Sequence, residues 1–385
     1  MARNRVIYQS DIVFVGNTGA TGTTDGGTGI ISQVDRVQSA NYSFDVARTD
    51  VNQFGQLAAI DRIILEQPTV SLDLNYLVLT GDNEAAIGLN LTSESALASI
   101  LSGDDAGNAA VAVKNYFIAT AAEGADAGNT SDTAITGETS SMIGVGNCFL
   151  SSYTVNGAVG DFVNADISVE GLNMTFDGGG GENLKTTVNN PAVAAANGTP
   201  ITAPINMVEL NAARSYTATS STIPAALRPG NVTLVTSGVV GFDSGDLKYQ
   251  NFTIGFDLSR ENLEKLGSRF AFAKEIEFPA AATMDFSALV GDVNTGASGA
   301  GGIDTAANFD SLDSIVTGAD GSFNCTIDCN GQDTEKGLKY TLKGAKLISQ
   351  SVSSSIGDNK SVDLSFESQI GGPSDTTNGI KIETS

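Results

Sequence analysis

The sequence predicts a mainly β chain made of two tandem, duplicated domains with short helices among the strands. Three observations predict it: a collinear internal repeat, runs of period-two alternation, and long Gly/Ser/Thr/Asn/Asp-rich stretches between them. Set without a gap, Gln38–Gly55 (QSANYSFDVARTDVNQFG) lies over Gln250–Gly267 (QNFTIGFDLSRENLEKLG) with five of 18 positions identical: Gln38/Gln250, Phe44/Phe256, Asp45/Asp257, Arg48/Arg260 and Gly55/Gly267. Leu97–Gly103 (LASILSG) lies over Leu312–Gly318 (LDSIVTG), and Val155–Glu170 over Val352–Glu367 with six of 16 identical. Unrelated segments of that length share about one residue. Blocks in one order with unequal gaps are two drifted copies of a unit, and a spacing of about 200 residues makes that unit a whole domain.

The elements follow in chain order. In Gln38–Ala47 the even positions Ala40, Tyr42, Phe44 and Val46 are apolar while Ser39, Asn41, Ser43 and Asp45 are polar; Phe252, Ile254, Phe256 and Leu258 repeat this in the second copy. Val70–Val78, Val163–Glu170 and Val362–Glu367 alternate as well. Period two with one polar side means antiparallel sheet covered on one face. Residues 49–55 and 261–267 follow a strand and end in glycine, which reads as a helical turn or short helix. Ser93–Ser102 has a Ser/Glu start and a terminal Gly103, so it reads as a capped helix, echoed at Asp310–Thr317. Stretches 16–29, 103–110, 123–142, 177–204 and 291–308 read as loops. The Gly178–Gly181 run followed by Pro191, Pro200 and Pro204 marks the inter-domain connection. The expected domains are 1–204 and 205–385.

Composition narrows the function. The chain carries 44 acidic and 20 basic residues, a net charge of −24, and no histidine. A basic face able to displace counterions from nucleic acid is not expected, though such a chain can surround nucleic acid without gripping it. Without histidine, the usual general base and the Ser–His and Cys–His nucleophile pairs are missing, so an enzyme is not expected. No apolar run approaches the ~18 residues of a membrane helix, and MARNRVIYQSDIVFVG has too short an apolar core for a signal peptide. Cys148, Cys325 and Cys329 lack the ligand partners of a zinc site and read as small buried hydrophobes. No cofactor is expected. Asp25, Asp104, Asp105, Asp126 and Asp177 sit among glycines without the ligand spacing of a calcium loop.

Two polar constellations repeat. Asp166 and Glu170 lie on the polar side of their strand, and Asp363 and Glu367 hold the matching places in the second copy. They read either as ordinary solvated strand polarity or as an acidic surface that both copies present. Asp45 with Arg48, and Asp257 with Arg260, read as an ion pair tying strand end to turn, or as a contact between subunits.

The passages RVQSANYSFDVARTDVNQFGQLAAIDRIILEQPTVSLDLNYLV (Arg36–Val78), YTVNGAVGDFVNADISVEGLNM (Tyr153–Met174) and YQNFTIGFDLSRENLEKLGSRFAFAKEIEFP (Tyr249–Pro279) resemble the tail tube proteins of long-tailed bacteriophages. The resemblance covers under half the chain. It implies a β-sandwich or half-barrel domain whose inner sheet joins its neighbours in a ring barrel, six domains to a ring. Two fused domains then imply a trimeric ring of pseudo-sixfold symmetry, stacked into a tube through which duplex DNA passes without specific binding. Asp166, Glu170, Asp363 and Glu367 would face the lumen. The implied partners are further copies, a tape measure protein, tail terminator and baseplate or tip proteins, and in contractile tails a sheath. The implied location is the virion tail, assembled in the host cytoplasm. Two other classes suit the same features: an acidic two-domain surface adhesin, and another tail ring component such as a terminator or baseplate ring.

Overall fold

Two alternating segments 212 positions apart in the chain (Gln38 and Gln250 mark their equivalent points) become matching strands of one antiparallel sheet. The computed structural model describes residues 11–18, 31–91, 113–120, 141–177, 187–194, 199–206, 227, 229–237, 247–268, 270–271, 273–290, 322–330, 337–357, 359–372 and 374–384. The first part of the chain supplies β1 (Asp11–Asn17), β2 (Ile31–Gln33), β3 (Val37–Asp45), β4 (Thr49–Val51), β5 (Asp61–Ile63), β6 (Thr69–Leu77), helix α1 (Asp82–Ile87), β7 (Lys114–Thr120), β8 (Ser141–Ala158), β9 (Asn164–Gly171) and β10 (Asn173–Asp177). Four two-residue strands follow: β11 (Thr187–Val188), β12 (Val193–Ala194), β13 (Thr199–Pro200) and β14 (Ile205–Asn206). The remainder supplies β15 (Val232–Ser237), β16 (Leu247–Asp257), β17 (Arg260–Leu263), β18 (Ala273–Ile276), β19 (Ala280–Val290), β20 (Phe323–Cys329), β21 (Leu338–Ser353), β22 (Ser361–Ile370) and β23 (Gly379–Thr384). The fold is mainly β, as the alternation predicts.

Eight strands form a continuous antiparallel sheet in the order β3–β6–β9–β8–β16–β19–β22–β21. Strands β8 and β21, 18 and 16 residues long, also enter a second layer. The N-terminal stretch of β8 pairs with β7 and β10, and β7 continues to β1 and β2. The matching stretch of β21 pairs with β20 and β23, and β20 with β15. The main core gathers residues of both layers: Val13 and Tyr116 from the outer strands with Leu72, Ile167, Ile254 and Phe366 from the eight-stranded sheet. Alternation is what permits this, since every second side chain of a strand reaches the same layer.

Seven pairings of the first part recur in the second: β1–β7 as β15–β20, β3–β6 as β16–β19, β4–β5 as β17–β18, β6–β9 as β19–β22, β7–β8 as β20–β21, β8–β9 as β21–β22 and β8–β10 as β21–β23. The irregularities recur too. Register shifts fall at Val37/Ser39 and Tyr249/Asn251, at Lys114/Tyr116 and Phe323/Cys325, and at Leu150/Ser152 and Leu347/Ser349. A bulge adds one residue and re-aims the strand, so bulges in matching places bend both sets of strands alike.

Several expectations change. Residues 49–55 and 261–267 are not helical; they begin β-hairpins, β4–β5 and β17–β18, that turn near Gly55 (φ 88°) and Gly267 (φ 87°). Glycine fits the left-handed conformation of a hairpin turn as well as that of a helix end, and the returning strand decides between them. Stretch 177–204 is not all loop: β11 pairs with β14 and β12 with β13, so the first ladder spans the expected boundary at 204/205. Val193 is held there by Asn147, whose Oδ1 accepts from Val193 N (2.6 Å) and whose Nδ2 donates to Val193 O (3.1 Å). Helix α1 answers to no expected element. The helices expected at 93–102 and 310–317 and the loops 103–110 and 291–308 lie outside the described residues, as does most of 16–29 and of 123–142.

Candidate functional site: a carboxylate face

The side of the eight-stranded sheet turned away from the core is polar from edge to edge. Cross-strand partners fix which residues share it: Asn41 opposes Asp73, Asp73 opposes Ser168, Thr154 opposes Asp166, Thr253 opposes Asn156, Asp285 opposes Ser365 and Asp363 opposes Ser351. Eight carboxylates stand on this face: Asp45, Asp73, Asp166, Glu170, Asp257, Asp285, Asp363 and Glu367. The residues between them are mostly Ser, Thr, Asn, Gln and Gly, with Ala281 beside Asp257 and Leu77 and Leu289 at strand ends. Among the described residues the cations of this face stand at its margins: Lys346 lies opposite Glu367, Lys274 comes in from the β17–β18 hairpin, and Lys248 lies opposite Leu289 at the start of β16.

The sequence-selected quartet Asp166, Glu170, Asp363 and Glu367 is thus brought onto one face. Asp166 accepts from Asn75 Nδ2 (2.6 Å) and Asn156 Nδ2 (3.1 Å), which hold the carboxylate upright between strands. Glu367 accepts from Gln369 Nε2 (2.7 Å). Glu170 differs: its Oε2 meets Lys274 Nζ at 2.5 Å, with the lysine side chain only 6% exposed. Sequence reasoning missed Asp73 and Asp285. The offset of 212 that aligns Gln38 with Gln250 also aligns these two, so the signal was there. With them, all eight carboxylates fall into four repeated pairs.

The second constellation separates. Neither Asp45 with Arg48 nor Asp257 with Arg260 forms a salt bridge among the described residues. Asp45 Oδ1 accepts from Val46 N at 2.9 Å. Arg260 instead crosses onto the first part of the chain, its guanidinium 5.2 Å from the Phe149 ring centroid and its Nε donating to Leu150 O (3.3 Å).

That crossing belongs to a seam. Strand β16 pairs with β8 from Asn251–Ala158 to Asp257–Ser152, joining the two parts of the chain inside one sheet. Ile254, Tyr153 and Val155 are wholly buried along it. Thr253 Oγ1 bonds Asn156 Oδ1 at 2.9 Å on the polar side, and Leu258 N donates to Ser151 O at 2.6 Å beyond the strand end. The β17–β18 hairpin then lies across β8 and β9, with Ala271 (2% exposed) packed beside Phe149 and Leu172.

Beneath the seam, Glu84 of α1 is buried without exposure. Its Oε1 accepts from Tyr76 Oη (3.0 Å) and Tyr153 Oη (3.2 Å), and Tyr153 Oη shares a hydrogen with Tyr340 Oη (3.0 Å). Burial holds the Glu84 carboxyl above its ordinary range and pushes all three phenols up as well. The three cysteines are free and buried; burial pushes Cys325 and Cys329 up to about 12, which leaves them as unreactive thiols. Among the described residues no group of His, Cys, Asp and Glu could hold a metal ion, and no helix is long and apolar enough to cross a membrane.

No family model matches the sequence, and no curated relative aligns with it. Solved structures give distant likenesses. One chain, from the tail of an empty gene transfer agent particle refined with helical C6 symmetry, shows 11% identity over 38% of this chain and 96% of its own, with a TM-score of 0.23. A second, from the virion of a native gene transfer agent particle, shows 12% identity over 42% and 99%, TM-score 0.22. A third, from the six-fold symmetrised baseplate of the anti-feeding prophage, shows 10% identity over 45% and 96%, TM-score 0.26. Scores of this size do not define a family for the chain.

Proposed function

We propose that this chain is a structural protein of a phage-type tail and forms its tube. Three copies close head to tail into a ring of six equivalent units, with the carboxylate faces lining the bore. Rings stack into a conduit for duplex DNA, with a tape measure protein inside during assembly and terminator and baseplate or tip proteins at its ends. The observation that carries this reading is the repeated carboxylate face. Eight acids without a central cation on one sheet surface are costly through mutual repulsion, and a solvated strand needs no such purity.

A conduit for a polyanion does need it. Duplex DNA carries one negative charge per about 1.7 Å, and a protein binds it by replacing condensed counterions with Lys and Arg. A wall of Asp, Glu, Ser, Thr and Asn replaces none of them. DNA therefore slides past it with its own ion atmosphere intact.

Negative-stain microscopy of the purified chain tests the reading, together with native mass measurement. Rings or striated tubes whose ring mass is a multiple of three 39.4-kDa chains are expected. Rings that never stack would point to a terminator or baseplate component. A chain that stays monomeric up to tens of micromolar, or one whose thermal stability depends on calcium, would overturn the proposal.

A further inference from the structure

The seam inside the chain has half-made copies at its two ends. Strand β3 matches β16 and pairs only with β6; residues 349–353 of β21 match 152–156 of β8 and pair only with β22. Among the described residues no second strand pairs with either edge. These edges carry apolar side chains in the open: Tyr42 is 42% exposed, Phe44 56% and Val352 38%, whereas the matching Ile254, Phe256 and Val155 are 0%, 4% and 0% exposed. Open edges of this kind invite strand addition, and nothing in Asn41–Asp45 or Ser349–Ser353 blocks it with proline or charge apart from the terminal Asp45.

We infer that these two edges join between copies in the register of the internal seam, and that the β4–β5 hairpin closes over the join as a clasp. This rests on the ring reading and specifies its interface. The internal register sets Thr253 against Asn156, Ile254 against Val155 and Asp257 against Ser152. Carried to the matching residues, Asn41 of one copy lies opposite Ser353 of its neighbour, Tyr42 opposite Val352 and Asp45 opposite Ser349. Both pairings are antiparallel, so the strand directions agree. An interface that joins head to tail uses two different patches and closes only as a ring.

The clasp follows from the hairpins, which align residue for residue: Arg62 matches Lys274, Ile64 matches Ile276 and Gly55 matches Gly267. Lys274 is spent on Glu170 across the internal seam. Arg62 instead sits 69% exposed on its own hairpin, bound to Asp50 at 2.6 Å, while Glu367, the match of Glu170, receives no hairpin cation among the described residues. In the joined state Arg62 leaves Asp50 for Glu367 of the neighbouring copy. Three departures make this join looser than the internal one. Gln350 stands where Tyr153 stacks on Phe256, Lys346 stands where Phe149 receives Arg260, and Ser43 stands where Gly255 lets the backbones approach, an added Cβ at Gly255 lying 2.6 Å from Tyr153 O.

Disulfide trapping in the full chain tests the register. The native cysteines are buried and do not compete. Asn41→Cys with Ser353→Cys should cross-link neighbouring copies into dimers and closed trimers under mild oxidation. Asn41→Cys with Ser349→Cys, four residues out of register, should not. For the clasp, Arg62→Glu should raise the concentration at which rings form by about tenfold, and adding Glu367→Arg should restore it. Rings that form with the two cysteine pairs equally unlinked, or that ignore both charge variants, would overturn this interface and leave the ring reading standing. Unmodified protein that forms no rings would sink the ring reading itself.

Discussion

Substitution of one repeated position in its two settings gives opposite outcomes if the seam is shared between chain and ring. Ile254 is fully buried in the internal seam, and Tyr42, its match, lies on the open edge with 42% of its surface exposed. Ile254→Ala leaves a cavity among Val155, Met284 and their neighbours and should cost about 3 kcal/mol of folding stability. Tyr42→Ala removes little from the isolated chain, at most about 1 kcal/mol. Its cost falls on assembly. Two-fifths of a tyrosine's roughly 200 Å² is ~85 Å², worth about 2 kcal/mol at ~25 cal/mol per Å². Each join should therefore weaken by about 30-fold. Urea unfolding in dilute solution reads the first effect, and mass photometry across a dilution series reads the second. Equal loss of folding stability in both variants, or Tyr42→Ala rings forming at the parent's concentration, would refute the matching of the two seams.

Three further outcomes are expected. Glu84 is held above its ordinary range by burial, so the folded protein keeps a proton that the unfolded chain releases. Stability from that proton is complete below about pH 4.3 and is lost as pH rises through the raised folded value. Glu84→Gln should therefore flatten the pH profile and raise Tm at pH 8; thermal scans that run parallel to the parent would contradict this. Changing Asp73, Asp166, Asp285 and Asp363 together to Lys should make assembled rings retain duplex DNA at low salt and release it at high salt, which gel-shift or filter retention would measure; continued indifference to DNA would count against a bore-facing sheet. Gly146→Ala would set a Cβ 2.1 Å from Pro191 O, so the 189–194 segment must lift and calorimetry should record a loss of about 2 kcal/mol.

Local pattern revealed much of the fold. Alternation at Val70–Val78 reads directly as β6, where Val70, Leu72, Leu74 and Tyr76 are all buried. The same alternation at Tyr42 and Phe44 predicts a covered face, yet in a single chain these residues stand at an open edge. Periodicity reports which side a residue takes; it does not report whether another strand lies beside it. The hairpins failed for a related reason: Thr49–Val51 is a strand because Asp61–Ile63 returns to it, and three residues are too few for a period to distinguish sheet from helical turn. The carboxylate face was half legible. Asp166, Glu170, Asp363 and Glu367 lie in an obvious repeat block, whereas Asp73 and Asp285 sit beyond the identities and needed the offset to be extended.

By itself the sequence determined the duplication, the strand-rich character and the excess of acid, because repeats, alternation and composition are carried by residues near one another in the chain. The tertiary structure alone decided that β16 joins β8, that eight acids gather on one face, and that, among the described residues, Glu170 receives a hairpin cation while Glu367 does not. Strand partners are chosen by backbone groups that every residue possesses, over separations of about a hundred residues. No local pattern encodes that choice; it follows from which edges remain open once the cores have packed.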